Sequence, residues 1–130
     1  MFEKYNNINY SQYLEFAHCK ICNPIKKSLL GKIKLKYKHT YNNLRQKDSI
    51  YISANNFNKI EKQIFSLFDC DVYHPNGIIS GIDFFGINYY TKEKTIEIYN
   101  VLLKKQIDEN LLSFLRENID KYNGFYILGI

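Results

Sequence analysis

Residues 81–130 constrain the fold of this chain more than any other stretch. They open on Ile82-Asp83-Phe84-Phe85-Gly86-Ile87-Asn88-Tyr89-Tyr90, an aromatic and β-branched run suited to a pleated surface. They close on Gly124-Phe125-Tyr126-Ile127-Leu128-Gly129-Ile130, a short and mostly apolar run that favours a central strand over an edge. An amphipathic helix lies between. Asp108 reads as its N-cap, with Glu109 near its positive end. Leu111, Leu112, Leu115, Ile119 and Tyr122 form its apolar side, and Asn123-Gly124 supplies the stop.

Residues 91–99 admit two readings. Thr91-Lys92-Glu93-Lys94 has the length of a hairpin loop, and Thr95-Ile96-Glu97-Ile98-Tyr99 alternates as a returning antiparallel strand would. A helix competes, because Ile96, Tyr99 and Leu103 also fit a helical stripe; the β-branched content favours the strand.

In the N-terminal half, Ser11 reads as the cap of a helix over about residues 11–22, with Tyr13, Leu14, Phe16 and Ala17 on its apolar side. Asn23-Pro24 ends it, because the residue before proline is pushed out of the helical region. Lys32-Ile33-Lys34-Leu35-Lys36-Tyr37-Lys38-His39 alternates strictly, with four lysines on one face of a strand and Ile33, Leu35, Tyr37 and His39 on the other. Beyond a polar stretch, Ser49-Ile50-Tyr51-Ile52 is a second short strand. Ser53 then caps a helix expected to reach about residue 68, with Phe57, Ile60, Ile64, Leu67 and Phe68 as its stripe. Residues 70–73 allow a short strand, and His74-Pro75-Asn76-Gly77 is a turn signal. Gly81 and Gly86 suit a bulge or a close approach by a helix. The order predicts one α+β domain over residues 1–130, a mostly antiparallel sheet covered by helices, with a C-terminal hairpin, helix and closing strand.

A hydrophobic content of 45% and a charged content of 24% are ordinary for a globular protein. The charge is unevenly spread. Of the formal +5, residues 1–50 carry +7 and residues 51–130 carry −2, and nine basic residues fall between Lys20 and Lys47 with no acidic residue among them. No apolar run approaches the ~20 residues that span a membrane, and the first residues lack the basic start and apolar core of a signal peptide. A cytoplasmic protein without membrane contact is expected. Three cysteines, an odd number, fit a reducing compartment better than a disulfide framework.

Candidate chemistry is sparse. Cys19-Lys20-Ile21-Cys22 has metal-ligand spacing, and Cys70 with His74 would complete a Cys₃His set. A second C-x-x-C is missing and the halves are far apart, so reduced, partly buried cysteines are the expectation, with no metal and no cofactor. His18, His39 and His74 share no cysteine-enzyme signature, and Asp69, Asp71 and Asp83 form a conceivable carboxylate cluster. No catalytic set is expected. Lys32, Lys34, Lys36 and Lys38 are the candidate partner-binding residues, able to meet phosphates or an acidic protein surface. The plainer reading is that they face water and discourage edge-to-edge pairing.

The segment Gly81-Ile82-Asp83-Phe84-Phe85-Gly86-Ile87-Asn88-Tyr89-Tyr90, the strand and helix read after it, and the ending Gly124-Phe125-Tyr126-Ile127-Leu128-Gly129-Ile130 resemble small bacterial immunity proteins of polymorphic or contact-dependent growth inhibition toxin systems. The resemblance implies a non-enzymatic, cytosolic protein that binds and blocks one cognate toxin C-terminal domain. It carries no family binding residues across. The basic N-terminal half leads to the expectation that such a toxin presents an acidic patch, or is bound away from its active site. A nucleic-acid or phosphate-binding module is the alternative, and it lacks a recognised motif.

Overall fold

A computed structural model of the protein describes residues 1–4, 12–27, 33–35, 47–75 and 77–129, with the backbone alone at 27, 33 and 34. The strands are β1 (Glu3–Lys4), β2 (Tyr13–His18), β3 (Ile25–Lys27), β4 (Ile33–Leu35), β5 (Ile50–Ser53), β6 (Val72–Tyr73), β7 (Ile79–Ser80), β8 (Ile87–Tyr90) and β9 (Phe125–Leu128). The helices are α1 (Ala54–Gln63), α2 (Lys92–Lys105) and α3 (Glu109–Lys121). Seven strands form one sheet in the order β1-β5-β2-β9-β8-β6-β7, each pair antiparallel, while β3 and β4 form a separate two-stranded ribbon. The α+β expectation holds.

The two faces of the sheet are covered differently. Leu14, Phe16, Ile50, Ile52, Tyr90, Phe125 and Ile127 point to the face where α1, α2 and α3 contribute Phe57, Ile60, Ile98, Leu102, Leu111, Phe114 and Leu115. Phe16 is the hub of this core, with rings of Phe2, Phe57, Phe68, Phe114 and Phe125 around it at 4.9–6.4 Å between centroids. On the other face Ala17, Cys19, Tyr89, Tyr126 and Leu128 meet Ile25 and Leu35 of the ribbon. The period-2 alternation of a pleated strand thus divides β9, with Phe125 and Ile127 on one side and Tyr126 and Leu128 on the other. As its composition predicts, β9 is central, between β2 and β8.

The helix caps follow the sequence. Ser53, Thr91 and Asp108 each accept a hydrogen bond from a backbone N–H three residues on, those of Asn56, Lys94 and Leu111, at 3.0–3.2 Å. Gly124, with φ +82°, makes the sharp turn from α3 into β9. At the turn after β6, Gly77 (φ 83°) donates its N–H to the His74 carbonyl at 2.8 Å and leads into β7, a strand the sequence pattern did not signal.

Three expectations about helical segments need correction, and so do others about the segment from residue 81 to residue 90. The predicted C-terminal hairpin does not form: Thr95-Ile96-Glu97-Ile98-Tyr99 lies within α2. Its buried positions are Thr95, Ile98 and Leu102, a stripe offset by one residue from Ile96, Tyr99 and Leu103. The predicted first helix is also absent among the described residues, since residues 13–18 are β2; its proposed cap, Ser11, lies outside them. Because both faces of β2 are covered, its buried run shows no alternation and mimics a helical side. Third, α1 stops at Gln63 rather than near residue 68. Of the strand read over Ile82 to Tyr90 only Ile87–Tyr90 forms, because residues 83–86 make a turn. Gly81 and Gly86 pack against the side chains of Asp69 and Asp83, not against a helix.

Candidate functional site

The sheet register gathers the first group of interest. β2 pairs with β5 as Leu14↔Ile52 and Phe16↔Ile50, so continuing the ladder by two residues sets Asp48 opposite His18. α3 crosses that end of the sheet on the helical face. Its Phe114 ring and the Tyr122 ring at its end stack on the His18 imidazole at 4.0 and 4.5 Å. Glu117 and Asn118, on the same helix, bring a carboxylate and an amide to the imidazole. A ring nitrogen of His18 and one carboxylate oxygen each from Asp48 and Glu117 lie within 4.8 Å of one another.

His18 is 1% exposed. Its Nδ1 is 2.8 Å from Asn118 Nδ2, which also donates to the Gly124 carbonyl at 2.6 Å. Among the described residues its Nε2 has no hydrogen-bond partner, nor do Asp48 Oδ1 and Asn118 Oδ1, all three buried. Asp48 Oδ2 pairs with Lys20 Nζ at 3.0 Å, and that ammonium also lies over the Tyr122 ring. Burial holds the His18 pKa down at about 4, against the opposing pull of the Asp48 carboxylate; Lys20 and Lys121 add to the lowering. A cleft of about 370 Å³ opens beside the group, lined by Lys4, Lys47, Asp48, Asn110, Ser113 and Glu117 among others.

The second group is apolar and exposed. Six phenylalanines, Phe2, Phe16, Phe57, Phe68, Phe114 and Phe125, are buried. Phe65 and Phe85 are instead 93% and 82% exposed. Phe65 follows α1, next to Ser66 at φ 58°, and both residues line two shallow clefts, one reaching Val101 of α2 and the other Asn58 of α1. Phe85 sits in a turn closed by Asp83, whose Oδ1 accepts from the Phe85 N–H at 3.0 Å. Asp69 joins the two loops, its Oδ1 accepting from the Ile82 N–H at 2.9 Å.

The residues singled out from sequence fare unevenly. Lys34 lies in β4, at the register position facing Lys26; Lys32, Lys36 and Lys38 lie outside the described residues. Cys19 and Cys70 belong to opposite faces of the sheet, Cys22 is exposed, and all three are free thiols. They form no metal-ligand group with His74 among the described residues, where His18, Asp48 and Glu117 do. Cys19 Sγ is 3.3 Å from the Tyr126 hydroxyl, and burial raises the Cys19 and Cys70 pKa values, the opposite of what a nucleophile needs. His74 bonds the Gly81 carbonyl through Nε2 at 2.8 Å. Asp69 and Asp83 brace loops, and among the described residues neither joins a ligand cluster.

Sequence reasoning missed the grouping of His18, Asp48 and Glu117. Reading residues 13–18 as a strand paired with 50–53 would have set His18 opposite Asp48, but Glu117 arrives only through packing of α3. No described helix is long and apolar enough to cross a membrane. No protein-family model, no curated protein and no solved structure matches the chain.

Proposed function

We propose that the protein is a non-enzymatic immunity protein that binds and neutralises a cognate bacterial toxin domain. The observation that supports a binding role is the pair of exposed rings, Phe65 and Phe85, on loops tied together by Asp69. Transferring each ring from water into a partner's apolar surface is worth about 1.5–3 kcal/mol. Lys62, Glu61, Asp69, Lys94 and Glu97 line the clefts around Phe65, an apolar centre with a charged border as protein interfaces have. The immunity assignment itself rests on the resemblance within residues 81–130, in which the order is now strand, helix, helix, strand.

The test is co-expression. The C-terminal domain encoded immediately upstream is produced in a bacterial host with and without this protein. Rescue of growth is expected, with loss of rescue in Phe65→Ser/Phe85→Ser. A harmless neighbour, or toxicity without rescue, contradicts the reading.

A phosphate-binding role has one observation in its favour. Lys26 and Lys34 take paired register positions on the β3–β4 ribbon, within the basic stretch from Lys20 to Lys47. Nucleic-acid affinity falling steeply with salt would favour that reading, since a packed protein interface is less salt-sensitive.

A further inference from the structure

Stacking between Phe114 and Tyr122 explains why the His18 ring is held, but not why its Nε2 and the Asp48 Oδ1 are both buried without partners among the described residues. An unsatisfied buried polar atom costs about 1–3 kcal/mol. These two belong to residues whose ligand atoms lie within 4.8 Å of one another, so a cation held between them would offset both costs. We propose that His18, Asp48 and Glu117 form a binding site for a divalent transition-metal cation of the zinc class.

One imidazole nitrogen and two carboxylate oxygens within 4.8 Å can close around a cation with small side-chain movements, since zinc holds such atoms at about 2.0–2.2 Å. The imidazole sets the class. Magnesium and calcium take oxygen ligands, whereas zinc, cobalt and nickel accept a mixed nitrogen and oxygen set. Three protein ligands leave a coordination position for water or for a group entering by the adjoining cleft. The local charges permit it. Lys20 neutralises only the Oδ2 side of Asp48, and Lys121, 4.0 Å from Glu117, is exposed enough to swing away.

Asn118 has to respond. As it stands, its Nδ2 donates to His18 Nδ1, which leaves the neutral ring's proton on Nε2, where the cation would bind. A half-turn of the amide, which preserves its shape, presents the unpartnered Oδ1 to an Nδ1–H and frees Nε2 as a ligand. The Gly124 carbonyl then loses the amide donor and its contact with Asn118 widens, but it keeps the Cys19 N–H at 3.0 Å.

The test is calorimetric titration of chelator-treated protein with zinc at pH 7.5, in a Cys22→Ser background so that the exposed thiol does not compete. Saturable 1:1 binding is expected, with none for magnesium. His18→Ala empties part of the core, so Glu117→Gln and Asp48→Asn, which keep shape, carry the decision. Each should weaken zinc by at least about 10–100-fold, the loss that outer-shell changes alone can cause. Absence of saturable zinc binding in Cys22→Ser, or affinity unchanged in both carboxamide variants, overturns the proposal.

Discussion

Asn88 shows how much one polar side chain can organise. It is fully buried in β8, where its Oδ1 accepts from the Asp83 N–H at 2.7 Å and its Nδ2 donates to the carbonyls of Asp83 and Ile127 at 2.8 and 2.9 Å. One amide therefore fixes the 83–86 turn, and with it the exposed Phe85, to the central strand β9. Asn88→Ala strands those backbone groups and should lower stability by about 2–4 kcal/mol, read as a fall in the urea midpoint. A loss under ~0.5 kcal/mol would show that water replaces the amide without penalty.

His18 makes a pH-dependent contribution with a definite sign. Its pKa is about 4 in the folded protein and near 6.5 in the unfolded chain. Between those values the unfolded chain binds a proton that the folded protein refuses, so stability falls as the pH drops from about 6.5 to about 4 and this effect is absent above that window. The groups that face the ring are Asp48, Glu117, Lys20 and Lys121. Urea denaturation with a chelator present should show the wild-type protein losing more stability between pH 7 and 4.5 than His18→Gln does. Equal losses would remove His18 as the cause.

At the scale of elements, the helix starts are where sequence and structure agree best. Ser53 and Asp108 were legible as caps because a short side-chain oxygen followed by an apolar stripe serves no other element so well. Asp108 also accepts from the Phe2 N–H at 3.3 Å, tying the first strand to α3. Asp108→Ala should therefore cost about 1–3 kcal/mol, more than a cap alone, and loosen residues 2–4; hydrogen exchange faster at Phe2 and Leu111 than elsewhere checks it. Thr91 is equally a cap in the structure, with Glu93 in the first turn, but in the sequence Thr91 to Lys94 reads as a hairpin loop on the alternation of Ile96 and Ile98. A short β-branched run suits either period, and only the packing of Thr95, Ile98 and Leu102 on the core decides. The converse error at β2 has the same root. A strand covered on both faces, with Glu15 bonded to Ser49 at 2.7 Å inside the fold, has no polar face to reveal its period.

At the scale of the molecule, the α+β class, a mostly antiparallel sheet with helices packed on it, is as the sequence led us to expect, whereas the ribbon on the opposite face is not read from the sequence. The candidate sites follow from contacts between elements instead. The stripe read over residues 57–68 puts Phe68 inward and leaves Phe65 off it, whereas nothing in residues 81–86 read alone says that Phe85 stays in water while Phe84 turns inward to Phe57. The two rings support the proposed role because both are exposed on loops that Asp69 ties together. The most direct measurement is growth of a host making the upstream toxin domain together with wild-type protein or with Phe65→Ser/Phe85→Ser, each confirmed as folded by circular dichroism. The account predicts rescue by the wild type and loss of rescue by the double variant. Toxicity that the wild-type protein does not relieve, or full rescue by the double variant, would contradict it.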